Sequence, residues 1–135
     1  MTRTPLEEDE GKILALVTTA LSWDPHGPDL GLPAVDVALD MAKQFAQRGR
    51  ILADDLCTRF LNIPADSWAG VGAQATLGEA ARRLSLRPLV QSAAPRSAAH
   101  RAQNLARLVQ ALFRAIDQVT DERARSTLVR TSLRR

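Results

Sequence analysis

Side chains able to do acid–base, nucleophilic or metal chemistry are few in this chain and poorly spaced for it. His26 and His100 are the only histidines, and Cys57 is the only cysteine. None of the three stands at a metal-ligand spacing from another, and neither histidine falls in a nucleophile motif such as G-x-S-x-G. Asp54 and Asp55 are neighbours in sequence, so on a helix they point in different directions; they suit a first turn, where a carboxylate offsets the helix dipole. Gly70, Gly72 and Gly78 lack a following lysine and a preceding strand, so no phosphate-cradling loop is expected. The chain therefore reads as a non-enzyme, with no catalytic residue, no metal ligand and no cofactor.

Arginine supplies the remaining chemistry. Arg82, Arg83, Arg87, Arg96, Arg101, Arg107, Arg114, Arg123, Arg125 and Arg130 crowd the second half, and residues 82–135 hold twelve arginines against three carboxylates, a net +9. Residues 1–40 hold eight Asp and Glu against Arg3 and Lys12, a net −6. Guanidinium groups fork onto phosphate oxygens, so these ten arginines are the candidate contacts to an RNA or DNA backbone, tracked without reading bases. Stacking aromatics are missing from the basic region apart from Phe113, which disfavours a base-stacking platform for single strands. Two other readings fit the same charge pattern. The basic half can pair with the acidic head, or the arginines can be a solvated face in an arginine-rich composition, since Lys12 and Lys43 are the only lysines.

Positioning those arginines falls to helices. At 135 residues the chain suits one domain with a core of its own, acidic over about 1–62 and basic over about 76–135. Abundant Ala, Leu and Arg, an aromatic content of 4% and no tyrosine favour helix over sheet. No run approaches the 18 or so apolar residues of a membrane span and no signal peptide is visible, so a cytoplasmic setting without membrane contact is expected.

The longest periodic segment lies from Ser97 to about Val119, where Ala98, Ala102, Leu105, Leu108, Val109, Leu112, Ile116 and Val119 recur at spacings of three and four. This stripe predicts a central core helix capped by Ser97, with Gln103, Arg107, Gln110, Arg114 and Gln118 on its solvent side. Earlier segments predict a helix over about 5–22 opened by the capping box Thr4-Pro5-Leu6-Glu7, and one from Pro33 to a left-handed stop at Gly49. A third, from Ile51 to near Pro64, would be built on Ile51, Leu52, Leu56, Phe60 and Leu61, carry Asp54 and Asp55 in its first turn and bury Cys57, unless it joins the second as one long kinked helix. Thr76-Leu77-Gly78-Glu79 is a second capping box opening a short helix, and Thr120-Asp121 begins a last basic helix touching the core through Leu128 and Leu133. The expectation is an all-α, single-domain bundle of five or six helices.

Three local or global likenesses bear on function. Trp68-Ala69-Gly70 resembles the turn of the small secreted WXG helical hairpins, although Pro64 and the absence of tyrosine depart from that pattern, and a packed tryptophan is the expected reading. Residues 76–86 resemble the first helix of a helix-turn-helix DNA reader, which implies a transcriptional regulator; Pro88 and Pro95 leave little room for a recognition helix. In size, helix content and basic faces the whole chain is similar to the small helical subunits of multisubunit CRISPR effector complexes. That resemblance implies a ribonucleoprotein subunit whose partners are copies of itself, a backbone-forming subunit, and RNA or displaced DNA. A helical protein-interaction module without a nucleic-acid role is the third class.

Overall fold

Apolar residues at helical spacing come together in four long helices. A computed structural model describes the backbone of residues 5–133 and the side chains of 8–132 except Asp29. Helix α1 runs Pro5–Ser22, α2 Val35–Phe60, α3 Trp68–Leu84 and α4 Pro95–Leu133, with a single 3-10 turn at Asp29–Gly31 and no strand among the described residues. The capping box at Thr4 to Glu7 and the contact from Leu133 lie outside the described side chains.

Helix α4 is the axis of the bundle. Ala98, Ala99, Ala102, Ala106, Val109 and Leu112 are completely enclosed, and Leu108 and Val119 nearly so. The four alanines let neighbouring helices approach closely, and the branched side chains fill the space further along. One continuous apolar cluster joins α4 to Ile13, Val17 and Ala20 of α1, to Met41, Phe45, Leu52 and Leu56 of α2, and to Ala69, Ala73 and Ala80 of α3. The direction of each helix follows from its neighbours. Arg59 near the end of α2 donates to Thr120 at 3.2 Å, while Arg83 near the end of α3 reaches back to the Asn104 carbonyl at 3.3 Å. Gln103 meets the end of α1. Thus α2 runs parallel to α4, and α1 and α3 run against it, an up-down-up-down bundle.

Four helices replace the expected five or six because the predicted breaks at Gly49 and Thr120 lie inside helices, and the predicted start at Thr76 is internal as well. Gly49 is buried, no described residue has positive φ, and Phe45, Gly49, Leu52 and Leu56 form one stripe, so α2 continues where a left-handed stop was expected. Asp54 and Asp55 consequently lie toward the C-terminal end of α2, and Asp55 pairs with Arg59 at 3.0 Å. Thr76 is also internal, its hydroxyl donating to the Gly72 carbonyl at 3.0 Å, so it caps nothing. Thr120 likewise donates to the Ile116 carbonyl at 2.8 Å, and the expected last helix is the second half of α4. Helix α4 itself opens at Pro95, two residues before the expected Ser97 cap, because proline fits the first helical position, where no N–H is needed.

The true start of α3 is Ser67. Its hydroxyl accepts from Gly70 N at 3.0 Å and donates to the Pro64 carbonyl at 2.6 Å. A Cβ on Gly70 would stand 2.5 Å from that same carbonyl oxygen, so this turn requires glycine. Several inward expectations were one helical position off. Trp68, expected to pack, is 77% exposed on the side of α3 away from Ala69 and Ala73. Ile51, Leu61 and Leu128 are exposed, and so is Cys57, which lies one residue off the Leu52 and Leu56 stripe.

Candidate nucleic-acid interface

The predicted solvent face of α4 is only partly solvent-facing. Gln103, expected outside, is 2% exposed, because α1 packs on the side of α4 that carries it. Its Nε2 donates to the Ala20 and Trp23 carbonyls at 2.9 Å each, satisfying acceptors that the end of α1 leaves open. Its Oε1 is buried without a hydrogen-bond partner.

The ten candidate arginines divide by what already holds them. Glu79 binds Arg82 and also Arg83, the latter at 3.2 Å, and Arg83 donates besides to the Asn104 carbonyl. The hydrogen bond from Arg82 is the main cause that draws the Glu79 pKa below its ordinary 4.5; desolvation opposes it, and the charges of Arg82 and Arg83 with the Arg83 hydrogen bond add to the lowering. Arg125 pairs with Glu122 at 3.2 Å. Arg96 donates to the carbonyls of Pro25 at 2.7 Å and Gly27 at 3.2 Å, pinning the loop after α1 to the start of α4. Arg101 donates to the Arg87 carbonyl at 2.6 Å and so ties down the connector between α3 and α4.

Arg87, Arg107, Arg114, Arg123 and Arg130 are exposed and have no hydrogen-bond or ion-pair partner among the described residues. Arg107 and Arg114 stand seven residues apart on one side of α4, about 10 Å along its axis at 1.5 Å per residue. Arg123 and Arg130 share the opposite side. There the α4 core stripe runs past the end of α2, and Arg123, Ser126, Thr127 and Arg130 line an open cleft against Leu61 to Pro64. The ion pairs at Arg59, Arg82, Arg83 and Arg125 each link partners three or four residues apart on one helix, while Arg96 ties the basic half to the loop after α1 through the Pro25 and Gly27 carbonyls.

Other sequence candidates are rearranged. His26 and His100, 74 residues apart in the chain, meet edge to face with ring centroids 6.1 Å apart. No signal in the sequence marked that pair. Two imidazoles are short of the ligand set of a closed zinc site, and no group of three or more metal-ligating side chains occurs among the described residues. Residues 76–84 are the second half of α3, and 85–94 carry no helix before the 39-residue α4. A recognition helix therefore does not follow residues 76–86 at the spacing of a helix-turn-helix. No described helix is long and apolar enough to cross a membrane.

The class that these features define is an all-α four-helix bundle with a cationic surface along its longest helix. Compared with known proteins, the chain finds no significant match to a family model, a curated protein or a solved structure.

Proposed function

We propose that the protein is a non-enzymatic helical subunit that holds the phosphate backbone of RNA or DNA through arginines of its basic half. The observation that supports this is the set of five unpartnered guanidiniums at positions 87, 107, 114, 123 and 130. Glu79 and Glu122 neutralise three of the other candidates, and backbone carbonyls occupy two more. The five that remain have hydrogen-bond donors to give, and phosphate oxygens accept such forks in pairs. Positions on two sides of α4 suit a strand that crosses the helix rather than one lying along a single face. In this reading the acidic head faces protein neighbours. This is the format of a subunit in a larger ribonucleoprotein, as in the small subunits of CRISPR effector complexes.

The experiment is fluorescence anisotropy with random-sequence RNA, single-stranded DNA and duplex DNA over a salt series. Five phosphate contacts give log K against log salt a slope of about −3.5 on single strands and about −4.5 on duplex. Replacing Arg107 and Arg114 by Glu should weaken binding to every sequence and flatten the slope by roughly 1.4 to 1.8. Absence of binding at low salt, or binding indifferent to the double substitution, would overturn the assignment. A preferred duplex sequence would favour the regulator reading instead.

A protein-interaction module is the second reading, and Trp68 and Val71 favour it. They are 77% and 57% exposed, three residues apart on the same side of α3, and an indole left so bare is unusual unless something covers it.

A further inference from the structure

One cleft of this bundle combines an apolar floor with a cationic rim. It opens between α2, the end of α3, the connector after it and α4, with a cavity volume of about 210 Å³. Leu39, Ala46, Leu84, Leu89 and Leu105 make its floor. Lys43, Arg50, Arg83 and Arg101 stand around it, and no carboxylate lines it.

Two of those cations are fixed in place by neighbours. Arg101 donates to the Arg87 carbonyl and Arg83 to the Asn104 carbonyl, so both stiffen the walls. Arg83 is also neutralised by Glu79. Lys43 and Arg50 have no hydrogen-bond or ion-pair partner among the described residues. Seven residues apart on α2, they flank the floor near Ala46 from both ends. Other acids border neighbouring openings. Asp36 and Asp40 line the adjoining opening beyond Lys43, and Asp54 lines the opposite side of Arg50 with Cys57.

We propose that this cleft binds a small organic anion with an apolar body, a medium-chain monocarboxylate. The volume lies below the roughly 300 to 1,000 Å³ of sites that hold drug-sized ligands, which limits the occupant to a chain of medium length. The leucines remove that chain from water, and the carboxylate meets a cation that has no competing partner. A nucleic-acid phosphate lacks the apolar body this floor requires, and none of the five arginines proposed to hold phosphate lines the cleft.

The test is isothermal titration calorimetry of the full chain with octanoate, 1-octanol and acetate as probes. Octanoate should bind at least ten times more tightly than octanol, which has the chain without the charge, and than acetate, which has the charge without the chain. Lys43→Gln with Arg50→Gln should bring octanoate down to the octanol level. Ala46→Leu, at a half-buried position on the floor, should abolish binding of both, with retention of the helical fold checked by circular dichroism. Equal binding of octanol and octanoate, no heat from octanoate, or an unaffected double variant would each overturn the proposal. Arg107→Glu with Arg114→Glu should leave octanoate binding unchanged, so failure of the nucleic-acid reading and failure of this one are separable.

Discussion

Replacing Gln103 tests whether the bundle depends on one buried amide between α1 and α4. Its two donated hydrogen bonds, each 2.9 Å long, are worth about 1 kcal/mol apiece net of water, so Gln103→Leu should cost about 2 kcal/mol. Losing the unpartnered Oε1 offsets part of that, because an unsatisfied buried acceptor disappears with it. Gln103→Glu is the sharper variant. Ionised, it would aim a carboxylate at two carbonyl oxygens in a site 2% exposed, at a cost of several kcal/mol, whereas protonated it regains one donor. The folded-state pKa of that Glu is therefore raised above its unfolded value. The variant should be most stable below the ordinary carboxylate range and lose stability as pH rises through the raised value. Urea denaturation at pH 4 and pH 7 reads this directly as a shift in midpoint. If Gln103→Leu matches the parent and Gln103→Glu responds to pH no more than the parent does, the amide is not the joint between these helices.

Leu112→Asp should leave the chain unfolded by circular dichroism. A fully buried leucine loses about 2 to 5 kcal/mol on truncation alone, a buried charge adds to that, and domains of this size hold about 5 to 15 kcal/mol in all. Gly70→Ala should lower stability by about 1 to 3 kcal/mol in the same denaturation assay, because the added Cβ meets the Pro64 carbonyl oxygen and the turn into α3 must shift. NMR titration of the Glu79 carboxyl should show a midpoint below 4.5, and its contribution to stability should be present above the unfolded pKa and fade as pH falls through the depressed one.

Period alone made most of the core legible. Leu105, Leu108, Leu112 and Val119 could be placed inside from their spacing, and burial of each agrees. Helix ends were harder, because glycine and capping-box signals report local preference while a continuous buried stripe decides the outcome. Gly49 and Thr76 are both overridden in this way. Gln103 was misplaced for a related reason. A helix wheel assumes one buried side, whereas α4 has neighbours on nearly all sides over its first two-thirds, and the packing of α1 cannot be read from the α4 stripe. Among the candidate arginines, sequence identified the donors but not their partners. Arg82 and Arg83 at three and four residues from Glu79 were open to that inference, while the carbonyls that hold Arg96 and Arg101 depend on loop paths without any sequence signal.

Helix α4 lives in two environments along its length. From Ala98 to Val119 its amides are walled in by three other helices, so their exchange with deuterium requires the whole bundle to open. Beyond Thr120, where α2 has ended, every described side chain is at least partly exposed, and those amides can exchange by unwinding from the end. A protection profile along this one helix should fall from globally protected to nearly unprotected within about two turns. A strand of nucleic acid settling on Arg123 and Arg130 would slow exchange there first.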